Sequence, residues 1–263
     1  MKTVFIVGCP AAGKSTLAKL IHDRYRQFDI VSDLQALSEL FEINDTITRS
    51  IQEKWTLEQA YASLKELYGR ICYWRDTLNV ILASLEASDD IFRYINTSLL
   101  LDGGHDILSP SVWDDALSRV VKLHDLSEHL ILEFSRGVDE RYQHAFGISE
   151  RDVYLRAFQI IFDTNPRMLT KSLIIHLHVN HTELMFRNQL RKIAGKHYVS
   201  ETVMETVYSH DVFNFICAPN GVISGYFSKD LPIPVISLSN ENPDYETTFA
   251  PIIDHMAKFM RGN

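Results

Sequence analysis

The segment from Gly8 to Ser15 reads GCPAAGKS and fits the pattern Gly-x-x-x-x-Gly-Lys-Ser. An apolar, β-prone run at 3–7 precedes it, and the residues at 15–26 that follow have the apolar spacing of a helix. This order predicts a strand, a tight loop and a helix. Glycine lets backbone amides turn inward and a helix start carries partial positive charge, so the loop is predicted to hold phosphate.

Two side chains of this loop carry the chemistry that a bound phosphate would need. Lys14 supplies a positive charge near the β- and γ-phosphates, and the Ser15 hydroxyl is a Mg²⁺ ligand. A glycine loop that binds no nucleotide is the alternative, which the flanking strand and helix disfavour. The residues expected to contact the nucleotide are Gly8, Pro10, Ala11, Ala12, Gly13, Lys14, Ser15 and Thr16.

Apolar runs alternate with helical segments along much of the remaining chain. Fully apolar strands separated by helices predict an α/β fold with a mostly parallel sheet, covered on both faces. The functional cleft is then expected at the carboxyl ends of the strands. Further strands are predicted at 28–31, 97–101, 129–134, 172–179 and 232–238, and helices at 110–123, 150–163, 181–194 and 245–260.

Residues 34–95 break this alternation and are predicted to form a helical insertion. Apolar residues recur there at intervals of three and four, and Gly69 is the one strong breaker between Trp55 and Leu85. Aromatic side chains in this stretch are more typical of helical core than of a ligand cage, although one edge of the insertion could cover a substrate. The turn-rich stretch at 221–234 is predicted to be a hairpin-like insertion or a mobile loop.

Residues 8–16, GCPAAGKST, resemble the phosphate-binding loop of the P-loop NTPase superfamily, and within it the nucleoside, nucleotide and small-metabolite kinases. The order of elements is similar along nearly the whole chain, whereas close motif identity is confined to the loop. The resemblance implies one three-layer kinase-like domain over 1–263, an acceptor-side insertion at about 34–95 and a lid region at about 181–228. It also implies ATP and Mg²⁺ as cofactors.

The resemblance assigns roles to acidic residues that follow predicted strands. Asp33 stands where similar kinases carry the carboxylate that faces the acceptor hydroxyl and takes its proton; capping the next helix is the alternative. Asp102 follows an apolar run, as the metal-side acid of the superfamily does, and would act with Ser15 on Mg²⁺ or contact the acceptor. A plain turn is its alternative. Glu133 competes with Asp102 as the metal-side acid, and both are expected to face the substrate.

Three arginines are also expected at the cleft. Arg136 follows Glu133 by three residues and is expected either to grip an anionic acceptor or to form a surface ion pair. Arg187 and Arg191 lie four apart on one face of a predicted helix, a spacing that resembles the lid helix of these kinases. There they would close over ATP as catalytic arginines; a solvated basic face is the alternative.

Composition and missing motifs exclude several other classes. The formal charge of −8 disfavours a broad nucleic-acid surface, and residues 180–183 lack the Asn-Lys-x-Asp motif of GTPases. Three scattered cysteines favour a reducing, cytoplasmic location, and no run of residues is long and apolar enough to predict a membrane span. The histidines lack an evident carboxylate partner, which disfavours zinc.

The sequence therefore predicts an ATP-dependent phosphotransferase that moves the γ-phosphoryl group of MgATP to a hydroxyl or phosphate of a small metabolite. Lys14, Asp33, Arg187 and Arg191 are its expected catalytic residues. One alternative is a nucleoside or nucleotide kinase, and another is a nucleotide-gated regulatory or binding NTPase. No motif identifies the acceptor or the oligomeric state.

Overall fold

The computed structural model describes residues 2–33, 35–36, 53, 59, 110–123, 129–138, 149–194, 198–199, 201–216, 223–226, 233–241 and 244–262. The strand predicted at 97–101 and nearly all of the insertion predicted at 34–95 lie outside these residues. The described residues therefore include the glycine-rich loop at 8–15, together with the strands and helices that support it.

Six strands form one sheet in the order β2-β3-β1-β4-β6-β5. The first five of these are parallel neighbours, and β5 pairs antiparallel with β6 at the edge. The predicted mostly parallel α/β fold is confirmed. The strands are β1 (Thr3–Val7), β2 (Phe28–Ser32), β3 (His129–Phe134), β4 (Ser172–His178), β5 (Ile223–Tyr226) and β6 (Pro234–Ser239).

The parallel register brings the strand ends to one edge of the sheet. Val7, the last residue of β1, lies between Phe134 of β3 and His176 of β4. Ser32, at the end of β2, lies opposite Glu133. The loop that begins at Gly8 therefore starts beside the residues that follow the neighbouring strands, which is where an α/β sheet forms its cleft.

Helices follow most strands, as the alternating pattern predicted. Short 3₁₀ helices at Pro166–Lys171 and Val212–Phe215 complete the described elements. No helix among the described residues is long and apolar enough to cross a membrane. The helices are α1 (Lys14–Arg24), α2 (Pro110–Leu123), α3 (Asp152–Thr164), α4 (His181–Ile193), α5 (Glu201–Thr206) and α6 (Tyr245–Arg261).

Consecutive residues of β1 show that helices cover both faces of the sheet. The Phe5 ring packs edge-on against Phe158 and Phe162 of α3, with ring centroids 5.1 and 5.8 Å apart. The next residue, Ile6, points to the opposite face, as alternation along a strand requires. It lies beside Glu133, which bonds to Ser15 of α1. Both faces are thus closed to water and the strands are apolar along their length.

A buried polar cluster fixes the 3₁₀ helix at Val212–Phe215 to the sheet. His176 of β4 is fully buried, and its two ring nitrogens lie 2.8 Å from Ser237 Oγ and from Asp211 Oδ2. Asp211 also caps the 3₁₀ helix, because its Oδ1 accepts from Phe213 N. Asp211, which was not evident from the sequence, is therefore the carboxylate partner of His176 and lies 3.9 Å from His178 Nδ1. Burial opposes ionisation of Asp211, but attraction to His176 and hydrogen bonds from His176 and His178 outweigh it and hold the pKa well below its usual range.

The ionised form of Asp211 is expected to stabilise the fold at neutral pH. Because its folded pKa is depressed, its contribution is complete above the unfolded value of about 4 and is lost as the pH falls. Asp211→Asn should lower the free energy of unfolding at pH 7 by about 2 kcal/mol and flatten its decline below about pH 5. Denaturant unfolding measured across this pH range checks both effects.

Asp163→Asn is the matched control, because Asp163 is an exposed carboxylate on α3 that accepts a surface hydrogen bond from Gln159, at 2.7 Å. It should keep the slope of the wild type. An Asp211→Asn protein whose stability declined with falling pH as steeply as that of the wild type would contradict the assignment.

Candidate phosphate-binding cleft

The loop between β1 and α1 adopts the turned-in backbone that its glycines predict. Gly13 precedes the helix with φ +98°, and Ala11 also has a positive φ of 66°. A Cβ on Gly13 would come within 2.5 Å of Asn240 Nδ2, so the position excludes a side chain for two reasons. Because Gly13 has no side chain to cap α1, the amides of its first turn lack the usual capping acceptor there and can receive an anion.

The Lys14 ammonium lies partly buried under the loop and donates three hydrogen bonds. Two go to the backbone carbonyls of Gly8 (3.1 Å) and Cys9 (2.9 Å), and the third goes to Ser135 Oγ (2.7 Å). Burial lowers the pKa of Lys14, and the nearby carboxylates of Asp33 and Glu133 counteract this. The charge is therefore held at the strand ends by acceptors on the loop and on the residue after β3.

Glu133, at the penultimate position of β3, lies against the start of α1. Ser15 Oγ donates to Glu133 Oε1 at 3.0 Å, while the second carboxylate oxygen is buried and has no hydrogen-bond partner among the described residues. Burial raises the pKa of Glu133, the Lys14 charge lowers it and Asp33 raises it again. Of the two acids expected on the metal side, Glu133 is thus in contact with Ser15, whereas Asp102 lies outside the described residues.

Asp33, directly after β2, reaches across to the loop after β3. Its Oδ2 accepts from Ser135 N at 3.0 Å and lies 3.8 Å from Arg136 Nη1. The cap of the segment after β2 comes from Ser32, whose hydroxyl accepts from Gln35 N at 3.1 Å. The Asp33 carboxylate therefore faces the cleft. The capping hydrogen bond to Gln35 N is made by Ser32, not by Asp33.

Arg136 is buried, with 7% of its side chain exposed, which excludes the surface ion pair considered from the sequence. Its Nη1 donates to Ser135 O at 2.6 Å, and its guanidinium lies 5.1 Å from the centre of the Phe134 ring. Its amide donates to the Tyr154 hydroxyl at 3.1 Å. The arginine therefore belongs to the wall of the cleft beside Asp33.

The two arginines of α4 differ in their surroundings. Arg187 Nε donates to Glu183 Oε1 at 2.7 Å, an ion pair one helical turn apart. Arg191 acts electrostatically on Glu133 and on Lys14. Burial lowers the pKa of Arg191, and the Glu133 charge raises it. Arg191 thus adds positive charge to the cleft, while Arg187 is neutralised by its neighbour on the helix.

Two residues of the cleft have roles that sequence reasoning did not assign. Ser135 directly follows β3 and contacts both Lys14 and Asp33, while Asn240 directly follows β6 and its Nδ2 donates to Ala12 O at 2.8 Å. Both stand at strand ends, which is the one signal that could have found them. Gly137, two residues after Ser135, is also constrained, since a Cβ there would come 2.3 Å from the carbonyl oxygen of Val207.

The remaining residues predicted for the nucleotide lie on the loop itself. Pro10 and Ala12 are buried within it, whereas Thr16 is exposed on the first turn of α1. The structure thus brings the loop, Asp33, Glu133 and Arg136 to one edge of the sheet, and Arg191 interacts electrostatically with Glu133 and Lys14. It pairs Arg187 within its own helix and leaves Asp102 outside the described residues.

The side chains present fit a Mg²⁺ ion that is completed by phosphate and water. Ser15 offers a hydroxyl, and Glu133 offers a buried carboxylate oxygen that has no hydrogen-bond partner in the described residues. Across that part of the chain, no group of three or more histidine, cysteine, aspartate or glutamate side chains could hold a metal by itself. Mg²⁺ commonly takes only one or two protein ligands beside substrate phosphates, so this donor set suits it.

Comparison with known proteins does not add to this picture. No protein-family model matches the chain, and no curated protein is similar to it in sequence. The case for a function therefore rests on the residues and geometry described above.

The left-handed backbone of Gly13 is expected to be essential for the loop. Gly13→Ala should lower the free energy of unfolding by about 1–3 kcal/mol, because a side chain at this φ is strained and meets Asn240. Thermal or denaturant unfolding measures the change.

Ala11→Gly is the control on the same loop, since Ala11 already tolerates a positive φ. Relief of its strain and the greater freedom of glycine in the unfolded chain should cancel to within about 1 kcal/mol. Equal losses in the two variants would show that the loop responds to any substitution rather than to the backbone of Gly13.

Proposed function

We propose that this protein is a P-loop kinase, which transfers the γ-phosphoryl group of MgATP to a hydroxyl or phosphate of a small metabolite. The proposal includes a three-layer kinase-like fold, of which the α/β sheet and its covering helices are the described part. One observation carries it: the Lys14 ammonium and the Ser15 hydroxyl of the glycine loop lie at the same sheet edge as the carboxylates of Asp33 and Glu133.

Phosphate binding is supported by the loop and by the start of α1. The first-turn amides and the Lys14 ammonium together supply positive charge where a triphosphate would lie. Such fixed donors act mainly by stabilising charge that develops during transfer, because they are oriented before the reaction begins. Arg191 adds a further charge near Lys14, whereas Arg187 pairs with Glu183 through Nε and keeps a buried Nη1 that has no hydrogen-bond partner among the described residues.

The acceptor is expected on the side of Asp33. One oxygen of its carboxylate is fixed by the Ser135 amide, which orients the group toward the loop. A carboxylate held in this way can receive the proton of an acceptor hydroxyl as that oxygen attacks phosphorus. The Arg136 guanidinium lies beside Asp33 and also donates to the Ser135 carbonyl. Arg136 is therefore expected to help hold the Asp33 carboxylate in position.

Ser15 and Glu133 are the residues that would hold Mg²⁺. The ion, when bound, neutralises phosphate charge and orients the phosphate chain. The Ser15 hydroxyl donates to Glu133 Oε1, so the two groups are already placed together. Asp102 remains a second possible acid on the metal side.

Loss of the loop lysine should abolish transfer. Lys14→Ala is expected to reduce the transfer rate at least about 100-fold, because it removes the charge closest to the phosphates. The assay follows labelled γ-phosphate from MgATP into a pooled extract of small metabolites, with products identified by mass.

The control is Lys19→Ala, which removes an exposed lysine from the same helix. Product formation by a folded Lys14→Ala protein at the wild-type rate would overturn the P-loop mechanism. If the wild type binds MgATP but phosphorylates no metabolite, a nucleotide-gated regulatory protein becomes the better description.

The carboxylate of Asp33 should matter for transfer but not for nucleotide binding. Asp33→Asn is expected to lower kcat about 100-fold or more, since an amide cannot accept the acceptor proton, and to leave the Kd for MgATP unchanged. Steady-state kinetics and calorimetric titration with MgATP test the two parts.

Asp29→Asn serves as the matched control, because Asp29 is an exposed carboxylate on β2, the strand that Asp33 follows. Wild-type kcat in the Asp33→Asn protein would remove Asp33 from the reaction.

A further inference from the structure

Ser135 is the one described residue that touches both charged groups assigned to transfer. It follows β3 directly, and it uses two different parts of its structure for the two contacts. Its side-chain hydroxyl accepts from Lys14 Nζ at 2.7 Å, and its backbone amide donates to Asp33 Oδ2 at 3.0 Å. The phosphate side and the acceptor side of the cleft are thus joined through a single residue.

The hydroxyl contact completes the surroundings of the lysine. An ammonium has three N–H donors, and the carbonyls of Gly8 and Cys9 accept two of them. Both of those acceptors belong to the phosphate loop itself. Ser135 Oγ is the third acceptor and the only one of the three that lies on another strand end, so it fixes the ammonium relative to β3 and the groups that follow it.

The amide contact fixes the acceptor side to the same point. The Ser135 carbonyl also accepts from Arg136 Nη1, at 2.6 Å, and this guanidinium lies 3.8 Å from Asp33 Oδ2. The backbone of Ser135 is therefore held from both of its polar groups. Because the backbone is held, the Ser135 hydroxyl can fix the position of the Lys14 ammonium.

We propose that Ser135 is a positioning residue for phosphoryl transfer, holding the Lys14 ammonium in register with the Asp33 carboxylate. The inference rests on the proposed kinase function and adds a residue to it. Ser135 does not act on the substrate itself. Its effect is the placement of two groups that do, and small errors of placement in such groups cost much of the rate.

Ser135→Ala isolates this role, because it deletes the hydroxyl and leaves the amide that holds Asp33. We expect kcat for transfer to fall about tenfold, while the Kd for MgATP at neutral pH stays within about twofold of the wild type. Ser135→Thr keeps a hydroxyl and should restore most of the rate. Rescue by threonine separates the hydrogen bond from the volume of the side chain.

Ser118→Ala is the matched control. Ser118 is a partly buried serine of α2 whose hydroxyl bonds to Thr164 Oγ1 at 3.1 Å, outside the cleft. Its loss should leave kcat unchanged, and circular dichroism should show both alanine variants folded at the assay temperature. A folded Ser135→Ala protein with wild-type kcat, or one that threonine does not rescue, would overturn the positioning role.

Failure of the inference and failure of the proposed function give different results. If Lys14→Ala abolishes transfer while a folded Ser135→Ala protein matches the wild type in kcat, the kinase stands and the role of Ser135 is refuted. If the wild type binds no ATP, or binds it and phosphorylates no metabolite, the kinase proposal fails and the inference fails with it.

Discussion

The hydrogen bonds of the Lys14 ammonium hold the cleft together. Its acceptors come from the loop after β1 and from the residue after β3, so the position of one charge fixes two strand ends relative to each other. Asp33, after β2, then attaches to the same residue, Ser135. Parallel pairing places these ends within reach, and the lysine makes their arrangement specific.

Charges of both signs surround this site. Lys14 and Arg191 lie in the field of Glu133, and Arg136 lies beside Asp33. A buried or partly buried charge is tolerated when it is paired and hydrogen-bonded, and is costly otherwise. An arriving triphosphate would add negative charge next to Glu133, whose pKa is already raised by burial, so a cation beside Ser15 would relieve the repulsion between them.

The parallel sheet and the glycine-rich loop could be predicted from the sequence, because local patterns of residues define them. Apolar runs gave the parallel strands, and glycine spacing gave the backbone of Gly13. Contacts between elements that are distant in the sequence carry no local signal: the pairing of Ser15 of α1 with Glu133 of β3, and of His176 of β4 with Asp211 before the second 3₁₀ helix, depends on how these elements pack. The edge strand β5 lies in the turn-rich stretch predicted to be a hairpin-like insertion or a mobile loop, and its antiparallel pairing with the next strand, β6, fits the hairpin.

Gly137 gives the cleft a connection to a part of the molecule that no ligand would touch. Its backbone lies so close to the Val207 carbonyl that only hydrogen fits between them, and Val207 follows α5 directly. Gly137 lies two residues after Ser135, so a shift of the segment that follows α5 would be passed to the groups that hold Lys14 and Asp33. Gly137 has no reactive group, yet substitution there is restricted. Any side chain at this position would clash with the Val207 carbonyl and displace the segment that carries Ser135.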